Sequence, residues 1–239
     1  MKKILIGILV LAVAAAAVLY FVFPGLPKYL YIKHKNPYPS LNTEFKEFDL
    51  SGVTVPDDFV EVKYDHGLSL KIAPDMKLKE GSSYTTYINE EKSKAVILLY
   101  NEAAAVDIDE QFDFATHEQI ESFFKNQDTP VPDSEYEFLK FTHSLTYDNF
   151  NIHSLKDEKI FNKLAESKEE LFETAKESYF LNSDGCCGFA ECTGKTEDII
   201  KYVVTLYTGE NYENSFMVVI GSDDMELIKE IIASIKTEK

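Results

Sequence analysis

The chain begins with a run of hydrophobic positions that no later segment approaches in length. Ile4–Phe23 contains twenty consecutive residues without a charge. As a helix rising about 1.5 Å per residue, this run would be about 30 Å long, which matches the hydrocarbon core of a bilayer. The prolines of Pro24–Pro27 disfavour continuation of such a helix. The pattern predicts one N-terminal transmembrane helix within residues 1–27, with membrane contact through residues 4–23.

A cleavable signal peptide is the alternative for this segment, because Ala14–Ala17 supplies small residues suited to a cleavage site. The hydrophobic run continues for six residues beyond Ala17, which favours a retained anchor over a signal of about 7 to 15 apolar residues. Lysines flank both ends in similar number, so charge alone leaves the orientation open. A short basic tail before the run is the usual layout of an export signal. We therefore expect a bacterial cell-membrane protein whose C-terminal part is extracytoplasmic.

Polar, proline-containing residues 28–43 predict a spacer that joins the membrane segment to a soluble domain over residues 44–239. Within that domain, apolar stretches predict strands, then a helical middle, then strands again and a closing helix. The pattern alternates at 68–72 and is continuously apolar at 95–100, which predicts a central strand. The predicted strands are 59–64, 68–72, 83–88, 95–100, 189–193, 199–207 and 215–221. This order predicts an α+β fold in which an antiparallel sheet is covered by helices.

The helices are predicted from capping residues and from apolar stripes. Capping-box spacing occurs at Thr116 and Gln119, at Ser134 and Glu137, and at Ser154 and Asp157. The longest helix is predicted over 155–176, with Ile160, Phe161, Leu164, Leu171, Phe172 and Ala175 mainly on one face. Ser222 is predicted to cap the closing helix, which places Leu227, Ile228, Ile231, Ile232 and Ile235 on one face.

A family resemblance is carried by the segment LSLKIAPDMKL at 68–78, an early hairpin, a helical middle, two long late strands and a closing ELIKEIIASIK helix at 226–236. This layout resembles the PsbP-like α/β/α sandwich over residues 60–237. Members of that group are often exported proteins that lack enzyme activity and act as accessory or assembly factors. The resemblance therefore implies a binding role.

The charge distribution excludes one class of partner. Residues 36–239 carry 19 lysines and 41 acidic residues, a formal net charge of −22. None of the 24 basic residues is arginine, so the chain lacks the planar fork that recognises guanine and phosphate. An acidic surface also repels polyanions. We therefore expect no binding to DNA or RNA.

The three cysteines all lie in the segment 184–192, and they are the strongest candidates for chemistry. Outside the cytoplasm cysteines tend to pair. Cys186 or Cys187 could close a small loop with Cys192, or the adjacent pair could form a strained vicinal bridge. A functional thiol is the alternative. A metal site would require thiolates at the usual CxxC spacing and a partner such as His143 or His153, and CCxxxxC does not have that spacing.

Two further patterns match metal-binding motifs only in part. His117 and Glu121 share a helical face, as in the HExxH zinc motif, but the second ligand is an acid and no third ligand is identifiable. Asp107, Asp109, Gln111, Asp113 and Glu118 fall at EF-hand ligand positions, yet Phe112 stands where that calcium loop needs glycine. We interpret both as solvated acidic segments, and His66 as an exposed turn residue.

The sequence predicts no catalytic, cofactor-binding or metal-binding residue and no cofactor, since glycine-rich phosphate loops are absent and Ser69 lies in an expected strand rather than in a nucleophile elbow. The leading hypothesis is a membrane-anchored extracytoplasmic binding or accessory module without enzyme activity, with a membrane or envelope protein as partner. Two alternatives stay open: a thiol- or metal-dependent enzyme centred on Cys186, Cys187 and Cys192, and a subunit of an envelope complex. The oligomeric state is left undetermined.

Overall fold

A computed structural model describes residues 26–103, 105–148, 152, 154–175, 177–183, 186–195 and 199–237. Contacts within the chain divide it into two compact units. The helical unit consists of Met1–Glu44, Asp107–Asp133 and Phe141–Glu170, and the sheet unit consists of Phe45–Val106, Ser134–Lys140 and Leu171–Lys239.

Helices supply most of the described part of the helical unit. They are α1 (Leu26–Lys35), α2 (Ile108–Gln111), α3 (His117–Asn126), α4 (Glu135–Ser144) and α5 (Leu155–Thr174), with a 3₁₀ helix at Pro39–Asn42. By their residue ranges, α4 and α5 also contribute to the sheet unit.

The predicted capping residues lie at the start of three of these helices. At α4 the backbone N–H of Glu137 donates to the Ser134 hydroxyl at 3.3 Å. The backbone N–H of Thr116 donates to the Gln119 side chain at 3.2 Å, which fixes the first turn of α3. At α5 the exchange is reciprocal: the N–H of Ser154 donates to the Asp157 carboxylate at 2.9 Å, and the N–H of Asp157 donates to the Ser154 hydroxyl at 3.1 Å. Such bonds satisfy backbone donors that a helix start leaves without an intrahelical acceptor.

Apolar side chains three or four positions apart form the core of the helical unit. Ile120, Phe123 and Phe124 of α3 are fully buried. Phe124 meets Phe141 with ring centroids 5.0 Å apart and edge-to-face, an arrangement that adds to the stabilisation from burial alone. The predicted stripe of α5 contributes Ile160, Phe161 and Leu164, which are also fully buried.

The sheet unit contains two sheets and one helix of its own. Its described strands are β1 (Lys46–Glu47), β2 (Val60–Lys63), β3 (Leu68–Ile72), β4 (Lys77–Leu78), β5 (Thr85–Ile88), β6 (Ala95–Glu102), β7 (Glu177–Ser183), β8 (Cys186–Lys195), β9 (Ile200–Thr208), β10 (Asn214–Ser222) and β11 (Lys236–Thr237), and α6 spans Met225–Ala233. Eight strands form one sheet in the order β1-β7-β8-β9-β10-β6-β5-β4, and three form another in the order β11-β3-β2.

Both faces of the eight-stranded sheet carry buried side chains. On one face, Val204 and Phe216 belong to a large apolar core together with Ile228 and Ile232 of α6 and side chains of the three-stranded sheet. On the opposite face, a smaller aromatic cluster contains Phe45, Tyr136, Phe189 and Tyr207. The predicted burial of the closing helix along one face is confirmed. The predicted cap is wrong: Asp224 rather than Ser222 caps α6, accepting a bond from the N–H of Glu226 at 2.9 Å.

The predicted fold class is wrong about the sheet, which is mixed rather than antiparallel. The two-residue strand β1 pairs in parallel with β7, Lys46 opposite Tyr179 and Glu47 opposite Phe180. Both residues of β1 are exposed, so the strand has no alternation of apolar and polar positions that a sequence pattern could reveal. It adds to the edge of the sheet through backbone hydrogen bonds, such as the 2.7 Å bond from Phe48 N–H to Phe180 O.

The predicted fold class is also corrected at its N-terminal element. Among the residues that the structure describes, no helix is long and apolar enough to cross a bilayer. The first described helix, α1, has ten residues and three basic side chains in its last turn, whereas a spanning helix needs about 20 predominantly apolar residues. The predicted span over residues 4–23 lies outside the described residues.

Candidate functional site

All three predicted site cysteines lie on β8 and are present as thiols. Cys187 and Cys192 are five positions apart on this extended strand, which places their Cα atoms about 17 Å apart, whereas a disulfide requires about 4.4 to 6.8 Å. Strand alternation turns Cys186 and Cys192 toward the large core, where both are buried. Cys187 lies on the opposite face. The strand therefore holds both suggested partners of Cys192 too far away for a bond.

Cys187 lies within the aromatic cluster of the sheet unit. Its thiol donates to the backbone carbonyl of Tyr207 across 3.9 Å. The ring of Tyr136, from α4, lies 5.5 Å from the Tyr207 ring, and the ammonium nitrogen of Lys140 lies 5.5 Å from the Tyr136 ring centroid. The site thus combines a half-buried thiol, two phenols and one cation.

The electrostatics of this site keep the thiol protonated. Burial raises the pKa of Cys187, and this effect outweighs the lowering by the Tyr136 hydroxyl and the Lys140 charge. Burial is also the largest cause of the raised pKa of Tyr136 and of Tyr207. A nucleophilic cysteine needs the thiolate form near neutral pH. The arrangement can bury and hydrogen-bond a thiol, but it does not activate one.

His117 lies between two carboxylates at the surface of the helical unit. Its Nδ1 is 3.0 Å from the Asp109 carboxylate, and its Nε2 is 3.5 Å from the Glu121 carboxylate. The hydrogen bond to Asp109 is the largest cause of the raised pKa of His117, followed by the Asp109 charge. Each ring nitrogen therefore faces an acid, an arrangement that favours the imidazolium.

The acidic segment that matches EF-hand positions does not form a calcium loop. Residues Ile108–Gln111 form α2, which Asp107 caps by accepting bonds from the N–H groups of Asp109 and Glu110 at 3.1 Å. Phe112, at the position where the loop needs glycine, is fully buried. Among the described residues, no three His, Cys, Asp or Glu side chains are grouped so that they could hold a metal ion.

Lys168 forms a buried polar site in the helical unit that the sequence analysis missed. Its side chain is fully buried, and the ammonium nitrogen donates to the carbonyl oxygens of Leu145 at 2.6 Å and Thr43 at 3.0 Å. Burial lowers the pKa of Lys168 to about 8, against an opposing effect of Glu169. One sequence signal could have revealed this buried lysine. Lys168 lies on the apolar stripe of α5, seven residues after Phe161 and four residues after Leu164.

His143 lies in the same unit and is also buried. Burial, and secondarily the charge of Lys168, lowers the pKa of His143 to about 3. The imidazole is therefore neutral at physiological pH. His143 is one of the two suggested metal partners of the cysteines. It belongs to the helical unit, and the cysteines lie on β8 of the sheet unit. The other suggested partner, His153, lies outside the described residues.

The end of α1 and the residues that follow it are attached to the helical unit, and we call residues 33–43 the strap. Lys33 pairs with Asp148 at 2.6 Å, and the hydroxyl of Tyr38 donates to Glu166 at 3.3 Å. The N–H of Ser40 donates to Glu169 at 3.0 Å. Leu41 is 1% exposed. Together with the bond from Lys168, these contacts hold the strap along α5 and the loop after α4.

His66 and Tyr100 form a stacked pair in the sheet unit. Their ring centroids are 3.8 Å apart and the rings are nearly parallel, at 9°. His66 has a φ of 62°, in the left-handed region, and the Tyr100 hydroxyl donates to Asn214 at 2.9 Å. The turn residue that the sequence suggested is exposed, as expected, but it also covers an aromatic ring.

Part of the sheet face that carries Cys187 is only partly buried. Side chains on β6, β9 and β10 form a connected apolar patch there: Ile97, Leu99, Val203, Met217 and Val219, all of them partly exposed. Met217 lies opposite Leu99, and Val219 lies between Ile97 and Val203 in adjacent strands. We call these five residues the sheet patch.

Comparisons with known proteins identify no family for this chain. No family model matches the sequence, and no curated protein matches it. A crystal structure of a protein from Bacteroides thetaiotaomicron VPI-5482 is similar over 82% of this chain, with 11% identity and a TM-score of 0.29. The chain spans 50% of the length of that protein. The resemblance to the PsbP-like sandwich stays a prediction.

Proposed function

We propose that this chain is a membrane-anchored binding or accessory module of the bacterial envelope, whose folded units lie outside the cytoplasm and catalyse no reaction. The hydrophobic segment Ile4–Phe23 supplies the anchor, and a membrane or envelope protein is the partner. Confinement at a membrane raises the effective concentration of a module toward other membrane-bound molecules.

The attachment of the strap is the observation that carries this proposal. The chain that leaves the hydrophobic segment enters α1 at Leu26 and is bound to the helical unit from Lys33 onward. Buried Leu41 and the bonds to Lys168, Glu166 and Glu169 fix this path. Helix α1 is about 15 Å long, so only this one short helix separates the anchor from the folded helical unit. That short connection suits a module that works close to the membrane.

The sheet patch supports a binding role. Its five apolar side chains are contiguous on three adjacent strands and partly exposed. Contiguous exposed apolar surface on a folded protein commonly marks a site of interaction. Cys187 is the least buried of the three thiols, so it is the one that an enzyme would use as a nucleophile. Its raised pKa disfavours the thiolate and therefore supports the non-enzymatic part of the proposal.

The test of topology uses a new surface thiol rather than the native cysteines, two of which are buried. Glu90 lies in the turn between β5 and β6, and its side chain is 88% exposed. We expect Glu90→Cys to react with a membrane-impermeant maleimide in intact bacterial cells, well above the wild-type background. Labelling of the variant only after cell lysis would overturn the extracytoplasmic assignment.

Anchoring is tested separately by alkaline carbonate extraction of membranes. We expect the full chain to stay with the membrane pellet, because Ile4–Phe23 holds it by hydrophobic insertion rather than by charge. Release into the supernatant would overturn the anchor. Size measurement of the detergent-extracted protein then separates two roles: a stoichiometric complex with another polypeptide identifies a subunit of an envelope complex, and a single species identifies an independent module.

A further inference from the structure

Helix α1 displays large apolar side chains to solvent. Leu30 is 54% exposed and Tyr31 is 61% exposed. They are adjacent in a helix of only ten residues. Neither position can be explained by packing within the helical unit, since both side chains keep most of their surface outside it.

The position of α1 in the chain brings these side chains to the membrane. Pro24 and Gly25 are the only residues between Phe23 and the start of α1 at Leu26, and three peptide links extend at most about 11 Å. The headgroup region is about 5 to 8 Å thick on each side of the hydrocarbon core. If Ile4–Phe23 occupies that core, α1 begins within or beside the headgroups.

The charge of α1 is opposite to that of the remaining chain. Its last turn contains Lys33, His34 and Lys35, and residues 26–43 include no acid. Lys33 pairs with Asp148, whereas the ammonium nitrogen of Lys35 lies 5.7 Å from the Tyr31 ring centroid on the exposed side. A lysine beside an aromatic ring is the combination that anchors proteins at membrane interfaces, and anionic lipid attracts such basic segments.

We infer that α1 lies on the membrane surface with Leu30, Tyr31 and Lys35 against anionic lipid headgroups, and that this contact orients the helical unit. Because Lys33 joins α1 to Asp148 and the N–H of Asn36 closes the helix on Ile32 O at 2.8 Å, the orientation of α1 is transmitted to the unit. This inference rests on the proposed function, since it requires the anchor.

The experiment uses the full chain in lipid nanodiscs and exploits the absence of native tryptophan. Tyr31→Trp introduces a single fluorophore at the proposed contact, and Tyr84→Trp introduces one at a matched position, 58% exposed in the sheet unit. Nanodiscs contain phosphatidylcholine alone or with phosphatidylglycerol, each with and without brominated acyl chains. Bromine quenches only a tryptophan that lies near the upper part of the acyl chains.

We expect brominated lipid to remove about half of the fluorescence of Tyr31→Trp in discs with phosphatidylglycerol, because an interfacial helix buries its apolar side chains about 5 to 10 Å into the bilayer surface. Quenching of Tyr31→Trp should be weaker in discs of phosphatidylcholine alone. In discs with phosphatidylglycerol, it should also be weaker when Lys35→Glu is combined with Tyr31→Trp. Tyr84→Trp should show no quenching. Equal quenching of the two tryptophan variants, or none at position 31, would overturn the inference. Equal quenching in both lipids would overturn its anionic part.

Failure of the inference is distinguishable from failure of the proposed function. If Tyr31→Trp resists carbonate extraction but its tryptophan is not quenched, the anchor is present and the inferred surface contact of α1 is wrong. Protein that carbonate releases has no anchor, and the proposed function fails with it.

Discussion

The ammonium nitrogen of Lys168 lies 2.6 Å from the carbonyl oxygen of Leu145, in a place that solvent does not reach. The same nitrogen lies 3.0 Å from the carbonyl oxygen of Thr43. One side chain of α5 thus satisfies a carbonyl that follows α4 and another at the end of the strap. Buried carbonyls that lack a donor are costly, so this lysine contributes to the attachment of the strap alongside the contacts of Lys33, Tyr38 and Ser40.

Replacement of Lys168 by methionine tests this dependence. Lys168→Met keeps the apolar stem but leaves the carbonyls of Thr43 and Leu145 without this donor, and we expect the free energy of unfolding to fall by about 2 to 4 kcal/mol. Urea unfolding of the detergent-solubilised chain, followed by far-UV circular dichroism, measures the change. The control is Lys163→Met on the exposed side of α5, which should shift stability by less than about 0.5 kcal/mol. Equal effects would refute the role of Lys168.

The same lysine predicts a pH dependence of stability. Burial lowers the pKa of Lys168 from its ordinary 10.5 to about 8 in the folded chain. Between these values the unfolded chain binds more protons than the folded chain, so the free energy of unfolding rises with pH. We therefore expect wild-type stability to increase relative to Lys168→Met as pH rises from about 8 toward about 10. Parallel stability curves for the two proteins would show that the pKa is not lowered.

His117 should titrate at a higher pH than an ordinary surface histidine, because its hydrogen bond to Asp109 and that carboxylate's charge raise the pKa. Asp109→Asn should lower the pKa of His117, as followed by NMR of its ring protons, whereas Asp113→Asn, which removes an exposed acid from the same segment, should leave it unchanged. Since the pKa is raised on folding, the pair stabilises the fold at pH below the unfolded value and ceases to do so as pH rises through the folded value. Identical titration in both variants would contradict the assignment.

The three thiols should react in an order set by burial. Cys187 is half-buried, whereas Cys186 and Cys192 are 6% and 3% exposed. We expect iodoacetamide to modify Cys187 first in the native protein, and slowly, because burial raises its pKa and reduces the thiolate fraction. Peptide mass spectrometry identifies the modified residue, and urea-unfolded protein, where all three should react at similar rates, is the control. Rapid native alkylation of Cys187 would instead indicate an activated thiol.

Local hydrophobic patterns predicted the central strands well. The alternation at Leu68–Ile72 is β3 over the same residues, and the predicted strands at 95–100, 199–207 and 215–221 correspond to β6, β9 and β10. In β3 burial on one face imposes a period of two on the side chains. Strands β6, β9 and β10 carry apolar side chains on both faces, so their signal is a nearly continuous apolar run. Strand β7 was missed because its residues follow directly on a helix that was predicted to continue through Lys176.

Non-local features were out of reach of the sequence pattern. The pairing of β11 with β3 joins Lys236 to Ser69, and the parallel edge strand β1 has only two exposed residues; neither leaves a local signal. Among the candidate site residues, burial of Cys186 and Cys192 follows from strand alternation once β8 is known. The role of Lys168 depends on two carbonyls from distant segments, Thr43 and Leu145, and no spacing within α5 could identify them.

Gly188, between the cysteines, has a structural reason to be glycine. It lies on β8 opposite Leu181 of β7 and Leu206 of β9. A Cβ atom at this position would stand 1.9 Å from the backbone oxygen of Thr205. Because that neighbour is backbone within the sheet, it cannot move aside as a flexible side chain could.

Gly188→Ala should therefore separate β8 from β9 locally and lower the free energy of unfolding by about 2 to 3 kcal/mol, the range expected for overpacking in a core. Gly194→Ala is the matched control on the same strand, since a Cβ there would lie 3.9 Å from the Cβ of Lys201, an ordinary contact. We expect that control to be nearly neutral, because it also reduces the entropy of the unfolded chain. Urea unfolding of both variants measures the difference. If Gly188→Ala were as stable as Gly194→Ala, the close approach of β8 and β9 at Gly188 would be wrong.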